Sequence, residues 1–141
     1  MHNVAIVYWS GTGNTEAMAN HIADGAKAAG ARVKAYFACG FSKDMLDSFS
    51  AIAFGCPSMG AEQLEDCEFE PMFDSVKHLL SGRRIALFGS YGWGDGEWMR
   101  TWEQECVDYG AKLVFHSVIC NEAPDDECAA SCRALGRALA Q

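Results

Sequence analysis

Apolar runs of strand length alternate along this chain with segments whose apolar residues recur every three or four positions. The runs cover Asn3–Trp9, Arg32–Ala38, Ala51–Cys56, Arg84–Ser90 and Lys112–Cys120, and each predicts a strand. Helical spacing covers Gly13–Ala29, Pro71–Leu80, Trp98–Tyr109 and Glu127–Ala140, with a loop and short helix over Cys39–Phe49. Gly30 and Gly110 stand where the first and third helices should stop. Glu68 and Glu70 stand near the start of the second, where negative charge is favoured. This alternation predicts an α/β fold: one domain over residues 1–141, with a five-stranded, doubly wound parallel sheet and helices on both faces. Ligands of such sheets sit beyond the carboxyl ends of the strands. The loops after the first, third, fourth and fifth strands are therefore the candidate site.

The first loop, Ser10-Gly11-Thr12-Gly13-Asn14-Thr15, opens directly into a helix. Backbone N–H groups at such a start are unpaired and carry partial positive charge, so the loop suits an anion. It lacks the lysine of a nucleoside-triphosphate loop, since the first lysine is Lys27, and the third glycine of a dinucleotide fingerprint. Its hydroxyls and its amide point to a terminal phosphate monoester held by neutral donors. The third loop begins Pro57-Ser58-Met59-Gly60-Ala61-Glu62, and the fourth strand runs out through Ser90-Tyr91-Gly92-Trp93-Gly94. They bring a thioether and a glycine-flanked indole towards the phosphate loop. Trp93 there is suited to covering a flat ligand. Trp98 and Trp102, four apart on a helix, read as core.

Composition narrows the partners. The net charge of -8 argues against nucleic acid and anionic lipid and is compatible with basic protein partners. No run is long and apolar enough for a membrane span, and no leader precedes the first strand. Seven cysteines with no CxxC spacing predict free thiols in a reducing, cytoplasmic setting.

Ser10-Gly11-Thr12-Gly13-Asn14-Thr15, Met59-Gly60 and Ser90-Tyr91-Gly92-Trp93-Gly94 together resemble the short-chain flavodoxins. The similarity extends to Tyr8-Trp9 and to Glu68-Phe69-Glu70-Pro71. The resemblance implies strand order 2-1-3-4-5 and a non-covalently bound FMN that carries single electrons between proteins. It implies that Ser10, Thr12, Asn14 and Thr15, with the Gly11 and Gly13 N–H groups, hold the phosphate. Trp93 and Met59 would lie on opposite faces of the flavin, with Pro57, Ser58, Ser90, Tyr91 and Gly94 in the surrounding loops. Glu62 would meet the flavin N3 edge, the Gly60 carbonyl would face N5 on reduction, Gly92 would lend backbone, and Asn121 would lie near the ring. Ala61 departs from the polar residue or glycine common in relatives, which bears on the turn Met59-Gly60-Ala61-Glu62.

A carrier of single electrons must separate two reduction steps. Glu62, Glu65, Asp66, Glu68, Glu70 and Asp74, followed by Asp95 and Glu97, oppose added negative charge on the cofactor, within the limits of screening. The expected partners are redox proteins docking by basic surfaces on a monomer. The competing readings are an FMN-dependent quinone or nitro reductase, a receiver-like module without flavin, and a metal carrier using Cys128 and Cys132. The reductase would need room for a second substrate. The receiver would need an aspartate after the first strand, where Tyr8-Trp9-Ser10 supplies none. Cys128 and Cys132 show no second ligand pair nearby.

Overall fold

The computed structural model describes residues 2–141. Its strands are β1 (Asn3–Tyr8), β2 (Arg32–Phe37), β3 (Ala51–Gly55), β4 (Arg84–Tyr91), β5 (Lys112–Leu113) and β6 (Val118–Asn121). Its helices are α1 (Asn14–Ala28), α2 (Phe69–Val76), α3 (Glu97–Asp108) and α4 (Asp126–Leu139). All strand pairs are parallel, in the order β2-β1-β3-β4-β5, with β6 also on β4. The expected order 2-1-3-4-5 is therefore present.

The central strands are continuous apolar runs because both faces of the sheet are covered. Ala5, Val7, Ile52, Phe54, Ile85 and Leu87 point into one core, with Phe69 and Phe73 of α2 and Trp98 and Trp102 of α3. Val4, Ile6, Ala53, Ala86 and Phe88 point into the other, with Met18 and Ile22 of α1 and Leu135 and Leu139 of α4. Trp98 and Trp102 are thus core, as their spacing predicts. Trp102 meets Phe69 and Phe73 edge-on at 5.4 and 5.6 Å. Each such pair adds roughly 0.5–1.5 kcal/mol beyond area burial. Helices α1 and α4 approach closely because Gly25 lies against the Arg133 carbonyl and Gly136 against the Ile22 carbonyl.

Three expectations need correction. The strand expected over Lys112–Cys120 is two strands in tandem. Leu113 pairs with Ile85 but Val118 pairs with Phe88, so two extra residues are looped out around Phe115–Ser117. The apolar run hides this break, because periodicity reports strand character and not pairing register. The second helix begins at Phe69 rather than Pro71, which sits within its first turn, where proline forfeits no intrahelical bond. Finally, Cys120 and Cys128 form a disulfide, leaving Cys39, Cys56, Cys67, Cys106 and Cys132 as free thiols. Their spacing matches no local signature. The turn from β6 into α4 brings the pair together.

Candidate functional site

Strand β1 ends at Tyr8, and the chain then lifts off the sheet into the glycine loop. Ser10 Oγ accepts N–H bonds from Gly13 at 3.1 Å and Glu16 at 3.3 Å. Its hydroxyl proton stays free to donate outward. Gly13 takes φ +97°, the left-handed conformation that glycine adopts without strain, just before α1 starts. Among the described residues, the N–H groups of Gly11, Thr12, Asn14 and Thr15 have no protein acceptor. Thr15 is buried, and its hydroxyl bonds Ser90 Oγ at 3.0 Å, which joins the loop to the end of β4. Gly11 lies under the Trp9 indole, where an added Cβ would come within 2.9 Å of the ring. Tyr8 donates to the Glu16 carboxylate at 3.0 Å, and burial together with that bond pushes the Tyr8 phenol up to about 12.

The third loop has an architecture of its own. Met59 and Gln63 exchange backbone bonds of 2.8 and 2.9 Å, enclosing Gly60, Ala61 and Glu62. The expected four-residue turn Met59–Glu62 is therefore a three-residue loop. Positive φ falls on Gly60 and Glu62, both +53°, and not on Ala61. The Glu62 carboxylate accepts the Glu97 N–H at 3.1 Å, tying this loop to the start of α3. Gly94 leaves room for it, since a Cβ there would come within 2.7 Å of the carboxylate.

Glu65 behaves unlike the rest of the acidic run. It is buried and accepts N–H bonds from Cys67, Glu68 and Phe69 at 2.7–2.8 Å. Burial pushes its pKa up, but the three N–H donors outweigh that and hold it below the ordinary value. It is the bracket from which α2 starts, and is not available as a docking charge. Asp66, Glu68, Glu70, Asp95 and Glu97 are exposed.

A cleft of about 460 Å³, within the usual range for a small-ligand site, opens above these strand ends. Ser10, Gly11, Thr12, Asn14 and Thr15 line it from the first loop, and Pro57, Ser58 and Met59 from the third. Ser90, Tyr91 and Gly92 line it from the end of β4. Of the remaining candidates, Gly13, Gly60, Ala61, Glu62, Trp93, Gly94 and Asn121 stand outside its wall. Trp93 is 60% exposed, an uncovered indole on the adjoining loop. Three wall residues were not among the candidates: Trp9, Glu122 and Ala123. Trp9 ends an apolar run and reads as strand. Glu122 takes φ +60° and donates its N–H to the Tyr91 carbonyl at 2.8 Å, a turn that nothing in its residue type signals. Ser58 Oγ is buried without a partner, so a polar group is already desolvated in the cleft wall.

The fold and this cleft define a doubly wound α/β protein with an anion cradle at its switch point and an open, partly apolar groove beside it. The chain belongs to the flavodoxin family, whose model matches residues 6–136. It is 49% identical to the flavodoxin of Megasphaera elsdenii over 138 residues, 98% of each chain. It is 43% identical to that of Clostridium beijerinckii over 135 residues, 96% of this chain and 97% of the other. The solution structure of the two-electron reduced Megasphaera elsdenii flavodoxin superposes with a TM-score of 0.90 at 50% identity, covering 97% of this chain and 98% of that one. As a flavodoxin, the protein is an FMN-bound electron carrier acting with redox partner proteins, and not an enzyme. Nothing in the fold or among these relatives favours the quinone or nitro reductase. No helix among the described residues is long and apolar enough to cross a membrane.

Proposed function

We propose that the cleft between the Ser10–Thr15, Pro57–Glu62 and Ser90–Gly94 loops holds the FMN, phosphate inward, with neutral donors alone. Bound there, FMN would supply the one-electron redox chemistry. The observation that carries the reading is the set of unpartnered N–H groups at Gly11, Thr12, Asn14 and Thr15, facing the same cleft as Ser10. The orphaned Ser58 hydroxyl gives a second polar contact deeper in the wall. Thr12 and Asn14 side chains have no protein partner and complete the cradle.

Met59 would cover one face of the flavin and Trp93 the other, with Gly92, Gly94, Tyr91 and Asn121 framing the ring. Glu62 would meet the N3 edge, while its carboxylate already accepts the Glu97 N–H and steadies α3. The Gly60 carbonyl would accept a hydrogen bond from the flavin N5–H, a donor that exists only after reduction. Exposed Asp66, Glu68, Glu70, Asp95 and Glu97 oppose the second electron, weakly individually because water and salt screen them. The same charges would meet basic surfaces of redox partners, with the protein working as a monomeric single domain in the cytoplasm.

The test is an FMN titration of the flavin-free protein across ionic strength, with wild type, Thr12→Ala and Asn14→Ala. Both variants should bind more weakly, by about 0.5–1.5 kcal/mol for each neutral hydrogen bond lost. Affinity should hold or rise with salt, because no Lys or Arg occurs between residues 3 and 26. A steep loss of affinity with salt, or variants that bind as wild type, would place the phosphate elsewhere.

A further inference from the structure

A second cavity of about 360 Å³ adjoins the cleft and is lined in part by Asn121, Ala123 and Asp125 of the turn after β6. Cys120, Cys128, His116, Asp125 and Ser131 line it, and Ala123 belongs to both cavities. Cys120 ends up buried on β6, and Cys128 stands half-buried in the first turn of α4, its N–H bonded to Asp125 Oδ1 at 2.8 Å. Their Cα atoms are 6.2 Å apart, within the span that a disulfide bridges. Cys132 lies one turn on, with its sulfur within 4.8 Å of the other two.

We propose that Cys120 and Cys128 are a thiol–disulfide modification site, addressed by small disulfides through the second cavity, whose closure tightens the FMN cleft. The coupling rests on the reading of the first cleft as the FMN site. The bond links β6, fixed to β4, with α4, clamped to α1 at Gly25 and Gly136. The turn between them carries Glu122, at φ +60°, and Ala123 into the cleft wall. In a reducing compartment a disulfide serves as a responsive element rather than a permanent brace.

The chemistry balances with a low-molecular-weight disulfide, RSSR, as oxidant. The Cys128 thiolate attacks one sulfur of RSSR, breaking its S–S bond and releasing RS⁻. The Cys120 thiolate then attacks the Cys128 sulfur and releases the second RS⁻. The two cysteines lose two electrons and two protons, RSSR gains both, and two RSH leave. Cys128 is the accessible thiol and reacts first. Cys132 stays out of the exchange, since full burial keeps its thiol protonated, pushed up to about 12.

The experiment compares FMN-loaded protein equilibrated with reduced or with oxidised glutathione, counting thiols by alkylation and mass and timing FMN release. Under oxidised glutathione, mass mapping should show Cys120 and Cys128 joined to each other with no glutathione attached, whereas the exposed Cys39 and Cys67 can take only a glutathione adduct. Release should slow by about fivefold on oxidation, the order expected from restricting one residue's backbone. Cys120→Ser and Cys128→Ser should each abolish the difference, and Cys132→Ser should keep it. Cys120 and Cys128 left unjoined under oxidised glutathione, a linked pair that includes Cys132, or equal release rates in the two states would overturn the proposal. Failure of the FMN-site reading shows separately, as Thr12→Ala and Asn14→Ala binding FMN like wild type while the mass mapping still reports the pair.

Discussion

At the end of the cleft proposed to take the phosphate, Thr15 and Ser90 are both buried and bonded to each other, and Ser10 ties two N–H groups of the loop. At the end proposed to take the ring, Trp93 is 60% exposed, Met59 36%, and two loop residues other than glycine, Glu62 and Glu122, hold left-handed backbone. One end is cross-braced into the sheet and the other is a set of tips. The difference suits the two tasks. A phosphate needs donors fixed before it arrives, because their order is then no part of the binding cost. A flavin edge that exchanges electrons with other proteins needs to be open. The tips nonetheless stand on firm roots, the chief one being Glu65.

The largest test of this contrast is Glu65→Gln, which removes the charge from a side chain serving three backbone donors. Hydrogen bonds to a charged group contribute roughly 1.5–3 kcal/mol each, so global stability should fall by about 2–4 kcal/mol. Denaturant unfolding measures it. The pH dependence has a definite sign. The folded pKa lies below the ordinary 4.5, so the stabilisation is full above that value and is lost as pH falls below it towards the folded value. The Gln variant should lack this acid-dependent fall. An acid profile identical to wild type would show that Glu65 is no root.

Next comes Thr15→Val, similar in shape but without the hydroxyl. It leaves buried Ser90 without its side-chain partner, at a cost of about 1–3 kcal/mol. Stability of the flavin-free protein should fall with FMN affinity, because the brace belongs to the fold. A loss confined to FMN affinity would make Thr15 a ligand contact only.

Trp93→Ala should do the opposite. An indole 60% exposed contributes little to folding, so flavin-free stability should stay within about 0.5 kcal/mol. FMN affinity should drop by about 0.5–1.5 kcal/mol beyond area burial, and the second reduction potential should rise as an unfavourable stack on the electron-rich ring is removed. An unchanged second potential would remove Trp93 from the flavin.

The same contrast explains what the sequence made legible. Strand and helix identity and the glycine loop that opens α1 follow from local signals: apolar runs, helical spacing, and glycines beside hydroxyls; the strand order comes only from the family resemblance. Long-range partners are invisible to such signals. Glu65 reads as one more carboxylate in an acidic run, and only the fold shows that it turns inward while Asp66 and Glu68 stay out. The two-residue slip in register around Phe115–Ser117, the Met59–Gln63 bridge and the Cys120–Cys128 bond likewise depend on register and proximity. Trp9 and Glu122 reach the cleft through backbone geometry, which their residue types do not announce.

The smallest effect concerns Ala61. The Met59–Gln63 loop places positive φ on Gly60 and Glu62, so Ala61 is unstrained in this geometry. Turning the Gly60–Ala61 peptide over would shift positive φ towards Ala61, where a side chain without a local hydrogen bond costs roughly 1–2 kcal/mol. Ala61 therefore acts against the turned-over loop and leaves the other favoured. Ala61→Gly should relax that bias and leave folding stability within about 1 kcal/mol. If the turned-over loop belongs to the oxidised protein, as the expected role of the Gly60 carbonyl on reduction requires, the first reduction potential should fall. A bias of about 1 kcal/mol corresponds to about 40 mV for one electron. The second potential should barely move, since both of its states share one loop geometry. Redox titration of the two proteins in one buffer gives both numbers. A first potential that stays put or rises would mean that the loop keeps positive φ off residue 61 throughout the cycle.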